Sequence, residues 1–252
     1  MPLAEQRSNA CRIFTSGTHI VSIESALPLI LLPGLSASRE VFEPQLQQFP
    51  NAIVPDWPEP NPGETFAAYA ERFSEQLRPH RPCILGGMSF GGMLAQEMAR
   101  FLKPEGLLLM ATIRGPDELP LYGRIGKRFR GLIPYLPMRV LQTLTGVFEC
   151  PGVRSLFPFR RILARQFREA NRELFRWSLD QICRWSEPPV VDCPVWHIHG
   201  DNDLVLPASR TTPDCLVAGA GHVLSLSHPQ DINRFIRECL HIVEGKRSTE
   251  GV

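Results

Sequence analysis

The sequence lacks the features of a metal-binding or disulfide-rich chain. Its seven cysteines are widely scattered, and they form neither a Cys-x-x-Cys pair nor a His/Cys cluster at metal-ligand spacing. We therefore predict free thiols in a reducing, cytoplasmic location, and neither a metal nor another cofactor. The opening residues MPLAEQRSNACRIF contain no apolar stretch of the length that a signal peptide needs, which favours the same location.

A charge excess and long apolar runs are also missing. The formal net charge is +1, whereas proteins that bind nucleic acid usually carry a large basic excess. The longest apolar run, residues 27–32, is too short to cross a bilayer. We therefore predict no nucleic-acid partner and no membrane span.

Short apolar segments alternate with amphipathic segments over much of the chain. The predicted strands are residues 19–24, 27–32, 52–55, 83–88, 106–112, 195–199 and 215–218, and the predicted helices are residues 38–49, 66–77, 90–102 and 230–243. Continuous apolar runs without alternation are typical of strands that are covered on both faces. The repeated order of strand and helix predicts an α/β fold with a doubly wound, mostly parallel sheet.

Residues 113–185 interrupt this alternation. They contain no convincing strand, are rich in arginine and proline, and show helical patches at 138–144 and 161–185. A segment of this length is too long for a simple loop in a compact domain. We therefore predict a helical insertion over 113–185 and a core domain formed by 1–112 and 186–252. The polar tail, residues 244–252, is expected to fray.

The strongest local signal is the pentapeptide Gly87-Met88-Ser89-Phe90-Gly91, which lies between a predicted strand and a predicted helix. A nucleophile at such a turn sits in a strained backbone, and small residues are needed beside it because side chains there would collide with neighbouring segments. The start of the following helix also directs backbone NH groups towards a developing oxyanion. The pentapeptide alone is a weak signal, but its position makes Ser89 the candidate nucleophile.

A serine hydroxyl needs a general base, and the base needs a carboxylate that orients it. The segment WHIHGDNDLVLP, residues 196–207, reads as a strand that runs into a turn, so Asp203 is expected at the same sheet edge as Ser89. The segment VAGAGH, residues 217–222, ends another strand in a flexible loop that carries His222. We predict a triad of Ser89, His222 and Asp203.

Other residues of the right type compete for these roles. His197 and His199 alternate along a predicted strand, where histidines more often belong to the scaffold than to catalysis. Asp201 is the nearest alternative carboxylate, although an aspartate in a turn commonly accepts a hydrogen bond from its own backbone. Asp117, in the loop after the fourth buried strand, is a more distant alternative.

Three segments, GMSFG, HGDNDLVLP and GAGHVLSLSHP, resemble those of the α/β-hydrolase superfamily, and the resemblance extends over nearly the whole chain. It implies that the acid is the aspartate three residues after the glycine, which is Asp203. It also implies an oxyanion hole formed by the NH groups of Leu35 and Phe90, and a helical cap formed by the insertion. The loop LPGL departs from the family pattern, because Pro33 stands where a histidine is usual.

The resemblance implies a small-molecule substrate and hydrolysis of a carboxylic ester through an acyl-serine intermediate. Acyl thioesterases, some carbon–carbon bond hydrolases and cofactor-free peroxidases share the triad, and a weakly catalytic ligand receptor is an alternative of another class. Residues 114–184 contain fourteen Arg or Lys against six Asp or Glu. This excess is compatible with guidance of an anionic substrate, but a solvated outer face of the insertion is the favoured interpretation.

Overall fold

The computed structural model describes residue 11, residues 27–144 and residues 160–250. Its centre is a six-stranded sheet with the order β2-β1-β3-β4-β5-β6, in which every neighbouring pair is parallel. The strands are β1 (Leu29–Leu32), β2 (Ala52–Ile53), β3 (Ile84–Met88), β4 (Gly106–Met110), β5 (Val195–Gly200) and β6 (Cys215–Val217). The predicted α/β fold with a mostly parallel sheet is therefore confirmed. The strand predicted at 19–24 lies outside the described residues.

The central strands are apolar along their whole length because both faces of the sheet are covered. Every residue of β1, β3 and β4 is buried. Successive side chains of β1 point to opposite faces: Leu29 and Leu31 belong to one apolar cluster, and Ile30 and Leu32 belong to the other. This is the packing that uninterrupted apolar runs predict for crossover-connected strands.

The helices that cover the sheet follow the sequence prediction in part, and the short helix at Leu224–Ser227 was not predicted. Their bounds are α1 (Glu43–Gln48), α2 (Phe66–Leu77), α3 (Phe90–Leu102), α8 (Leu224–Ser227) and α9 (Pro229–Glu250), and a 3-10 helix at Arg39–Phe42 precedes α1. The helix predicted at 38–49 is thus divided into two short pieces. The expected fraying from residue 244 is wrong as far as Glu250, because α9 continues to that residue.

The segment between β4 and β5 is helical. It contains α4 (Leu121–Arg128), α5 (Met138–Leu144), α6 (Arg160–Glu169) and α7 (Arg172–Arg184), with a 3-10 helix at Arg130–Tyr135 between α4 and α5. We call α4 to α7 the inserted helices. The patch predicted at 161–185 is divided, because the Asn171 side chain accepts hydrogen bonds from the NH groups of Glu173 and Leu174 and so begins α7.

Contacts of α7 fix the inserted helices to the sheet domain. The Trp177 ring lies 4.3 Å from the Tyr69 ring, centroid to centroid, and its Nε1 donates to the backbone oxygen of Glu64 over 2.9 Å. Trp185 Nε1 donates to Glu97 Oε1 of α3, also over 2.9 Å. The domain boundaries at 113 and 185 stay a prediction.

The cysteines differ in part from the expectation of free thiols. Cys83, Cys183, Cys193 and Cys239 are free, but Cys11 and Cys215 are joined as a disulfide across 204 positions of sequence. Scattered spacing along the chain cannot reveal which thiols meet in space. Across residues 27–144 and 160–250, no helix has the length and apolar character needed to cross a membrane.

Candidate active site

Ser89 occupies the turn between β3 and α3 in a conformation that non-glycine residues rarely adopt. Its φ is 54° and its ψ is −124°. Two hydrogen bonds hold this strained residue in place: Ser89 N donates to Met110 O over 3.0 Å, and Thr112 Oγ1 donates to Ser89 O over 2.6 Å. Strain that the surroundings impose in this way is typical of functional sites, and here it lifts the hydroxyl above the end of β3.

The glycines on either side of Ser89 are required by close contacts between backbones. A Cβ atom at Gly87 would lie 2.2 Å from the Gly91 carbonyl oxygen, and one at Gly91 would lie 2.2 Å from the Pro33 carbonyl oxygen. Both distances are far below a van der Waals contact. The predicted requirement for small residues in this turn is therefore explained by the approach of α3 to β3 and to the loop that follows β1.

The structure brings the three predicted triad side chains together at the carboxyl edge of the sheet. His222 Nε2 lies 2.9 Å from Ser89 Oγ, and His222 Nδ1 lies 2.8 Å from Asp203 Oδ2. Ser89 follows β3, Asp203 follows β5 and His222 follows β6. The Asp203 side chain is fully buried, and the His222 side chain is 17% exposed. This arrangement allows proton transfer between the hydroxyl and the imidazole.

Four donors surround the Asp203 carboxylate. Its Oδ1 accepts from the NH groups of Val205 and Leu206, each over 2.8 Å. Its Oδ2 lies 2.8 Å from His222 Nδ1 and 3.2 Å from His199 Nε2. Burial by itself raises the pKa of this carboxyl, but the hydrogen bonds from His199, His222 and Leu206 outweigh burial and hold the pKa well below its ordinary value. Asp203 is therefore an anion at neutral pH.

The competing histidines help to position the Asp203 carboxylate. His199 Nε2 lies 2.7 Å from the backbone oxygen of Leu206, and His199 Nδ1 lies 3.2 Å from His197 Nε2. Burial lowers the pKa of His197 well below its ordinary value, so that ring is neutral. The sequence reasoning missed His199 as a partner of Asp203; its position four residues before the aspartate was the available signal.

The two competing carboxylates lie outside the predicted triad. Asp201 Oδ1 accepts from Gly219 N over 2.7 Å, which ties the β5 turn to the β6 turn. Asp117 is an exposed residue of the 3-10 helix Pro116–Glu118. Among the described residues, neither carboxylate is hydrogen-bonded to a histidine.

The loop after β1 passes beside the nucleophile. A Cβ atom at Gly34 would lie 3.2 Å from Ser89 Cβ and 3.8 Å from Ser89 Oγ. Ser36 has a positive φ of 61°, and Ala37 N donates to Gly34 O over 3.0 Å, so the loop turns tightly at this point. Phe90 is the first residue of α3, where the NH group has no partner within the helix. Leu35 follows Gly34 in this loop and Phe90 follows Ser89, and their assignment to an oxyanion hole stays a prediction.

The family is decided by a model that matches most of the chain. Residues 29–235 match the alpha/beta hydrolase family. The chain belongs to this family. This alpha/beta hydrolase shares its fold with many solved structures, whereas a comparison with curated protein sequences finds no match.

Three solved structures illustrate the shared fold. An esterase from Thermogutta terrifontis, with malate bound, has a TM-score of 0.68 at 21% identity and covers 87% of this alpha/beta hydrolase and 91% of its own chain. MenH from S. aureus has a TM-score of 0.68 at 16% identity, with coverage of 88% and 96%. A structure from work on carboxylesterases of the thaumarchaeon Nitrososphaera gargenis has a TM-score of 0.65 at 15% identity, with coverage of 89% and 93%. At these identities the similarity establishes the fold.

Proposed function

We propose that this alpha/beta hydrolase cleaves a carboxylic ester of a small molecule through an acyl-serine intermediate. The observation that carries the proposal is the continuous hydrogen-bonded series from Ser89 Oγ through His222 to Asp203, with distances of 2.9 and 2.8 Å. A hydroxyl, an imidazole and an ionised carboxylate in this order are the groups needed for nucleophilic catalysis by serine.

The distances support a role for each group in the proposed reaction. Because Nδ1–H of His222 donates to the Asp203 carboxylate, Nε2 carries the lone pair that takes the proton of Ser89 during attack. The NH groups of Leu35 and Phe90 donate hydrogen bonds to the carbonyl oxygen as negative charge develops on it. His222 then returns the proton to the leaving alcohol, and water repeats the same steps to release the acid.

Substitution of the nucleophile and of the base tests this proposal. We expect Ser89→Ala and His222→Ala to lower kcat for p-nitrophenyl esters by roughly 10⁴- to 10⁶-fold, because members of a triad act as a unit. Labelling by a fluorophosphonate probe should also disappear in Ser89→Ala. Ser209→Ala, which changes an exposed serine, is the control and should keep both turnover and labelling. Near-normal turnover by purified Ser89→Ala would refute the assignment.

The same proteins separate ester hydrolysis from its alternatives. A panel of p-nitrophenyl esters of varied chain length and acyl thioesters, measured on wild type and Ser89→Ala, distinguishes an esterase from a thioesterase. Saturable ligand binding by wild type without any fluorophosphonate labelling would instead favour a receptor.

A further inference from the structure

A cavity of about 330 Å³ adjoins the loop that passes beside Ser89. Its walls come from residues 33–39, from residues 54–57 after β2, and from residues 166–178 of α6 and α7. Gly34 belongs to this wall, and a Cβ atom at Gly34 would lie 3.8 Å from Ser89 Oγ. Ser89 itself does not line the cavity; Gly34 lies between the two, and the cavity is of a size that admits a small acyl group.

Four buried polar atoms of this wall have no hydrogen-bond partner within the described part of the chain. They are Ser36 Oγ, Trp57 Nε1, Gln166 Oε1 and Ser178 Oγ. Gln166 is 5% exposed and Ser178 is fully buried. Gln166 Nε2 donates to Ser38 Oγ over 3.0 Å, which fixes the orientation of the amide. Gln166 Oε1 can then accept a hydrogen bond from another donor. Buried polar atoms are rarely unpaired, and four such atoms on residues that line one cavity favour a polar ligand there.

The position of His222 decides which half of an ester the cavity receives. The leaving alcohol must take its proton from His222 Nε2, so it lies on the side of the loop after β6. Of the described residues, none from 217–228 lines the cavity. The absence of this loop from the lining favours the acyl half of the ester, rather than the alcohol, as the occupant of the cavity.

The charges at the cavity favour an uncharged acyl group. Arg39, Asp56 and Glu169 are its charged residues, and all three are exposed rather than buried in the wall. The buried atoms consist of one donor, Trp57 Nε1–H, one acceptor, Gln166 Oε1, and two hydroxyls that serve in either role. This set complements a group that both donates and accepts a hydrogen bond.

We propose that the cavity is the acyl subsite, and that it selects acyl groups bearing an uncharged amide or hydroxyl over alkyl acyl groups of the same shape. This proposal rests on the proposed ester hydrolysis. A site built to hydrogen-bond a substrate discriminates against an apolar analogue because the analogue leaves buried polar groups unpaired.

Two isosteric esters test the proposal by turnover. The p-nitrophenyl esters of N-acetylglycine and of 4-methylpentanoic acid have acyl groups of the same shape, and only the first carries an amide. The ratio of their kcat/KM values is measured in wild type, Ser178→Ala and Gln166→Met, so that differences in the intrinsic reactivity of the esters cancel. We expect each variant to lower this ratio by about three- to tenfold, as the loss of one hydrogen bond to an uncharged group does.

Ser74→Ala is the matched control, because Ser74 is a buried serine whose Oγ donates to Ala70 O within α2, over 2.7 Å. The ratio should not change in this variant. If hydrolysis depends on Ser89 but the ratio is the same in wild type, Ser178→Ala and Gln166→Met, the subsite proposal is overturned and the proposed function stands.

Calorimetry tests the subsite independently of turnover if neither ester is hydrolysed. Wild type is titrated with the N-methylamides of the same two acids. Tighter binding of the N-acetylglycine amide, weakened about three- to tenfold by Ser178→Ala, would support the subsite. Equal binding of the two amides, or no binding of either, would overturn it.

Discussion

The ionisation of Asp203 leads to a prediction about how kcat/KM of this enzyme depends on pH. Hydrogen bonds from His199 and His222 outweigh burial and keep the pKa of the Asp203 carboxyl well below its ordinary value. A carboxyl whose pKa is lowered by folding remains ionised as the pH falls through the range in which an exposed aspartate is protonated. Protonation of Asp203 therefore does not contribute to a loss of activity in that pH range.

We therefore expect protonation of Asp203 to add no proton to the acidic limb of kcat/KM for a neutral ester, since kcat/KM reports ionisations of the free enzyme. The measurement is a plot of log kcat/KM against pH, in which the limiting slope on the acidic side should not exceed 1. The same p-nitrophenyl ester is used at every pH, and the ionic strength is held constant across the buffers. A slope of 2 would mean that Asp203 is protonated in the same range, which contradicts its network of donors.

At the scale of elements, the turn between β3 and α3 depends on the absence of side chains. The Cβ that Gly87→Ala adds would meet the Gly91 carbonyl carbon at 2.4 Å and its oxygen at 2.2 Å, and these backbone atoms cannot move without shifting α3. We expect Gly87→Ala to lower the free energy of unfolding by about 1–3 kcal/mol or more, as overpacking does. Urea denaturation measures the change.

Gly126→Ala is the control for this substitution. Gly126 lies in α4, and no heavy atom lies within 4 Å of the Cβ it would gain. Alanine in a helix is favoured over glycine by roughly 0.5–1 kcal/mol, so this variant should be as stable as wild type or more stable. Equal stability of Gly87→Ala and Gly126→Ala would contradict the proposed reason for the glycine.

The elements differ in how far the sequence alone could predict them. The bounds of α2 and α3 agree with the prediction because an amphipathic period and a clear start signal coincide, with Thr65 accepting a hydrogen bond from Ala68 N at the first turn of α2. The break between α6 and α7 was missed, because the helical period continues across it and only the side chain of Asn171 ends it. Local capping of this kind competes with periodicity and is visible only in coordinates.

In the candidate site, too, some features follow from adjacent residues and others depend on packing between distant segments. Gly87, Ser89 and Gly91 are adjacent in sequence, and the turn they form is predictable from them. The polar cavity joins Ser36, Trp57, Gln166 and Ser178, which are separated by up to 142 positions and have no common spacing. Their meeting depends on how α6 and α7 pack against the loop after β1, and no local pattern encodes that packing.

For the whole molecule, the basic excess of the insertion is balanced in part by contacts within the protein. Arg114 pairs with Asp214 at 2.8 Å and Arg165 pairs with Glu40 at 2.5 Å, and both acids lie outside the insertion. Arg176 Nη2 donates to Leu136 O over 2.8 Å, and Lys127 Nζ donates to Trp185 O over 3.1 Å. These contacts give many of the basic residues a structural part, and they favour packing over guidance of an anionic substrate.

This balance leads to a prediction about salt. Electrostatic guidance weakens as ionic strength rises, because the Debye length falls from about 30 Å at 0.01 M to about 10 Å at 0.1 M. With a net charge of +1 and with one basic and two acidic residues at the cavity, we expect no steering of an anionic acyl group. The measurement is kcat/KM between 0.01 and 0.3 M salt for a p-nitrophenyl ester with an acyl carboxylate and for its uncharged amide counterpart. The two esters should show equal salt dependence; a steeper fall for the carboxylate ester would instead assign arginines of the inserted helices to substrate capture.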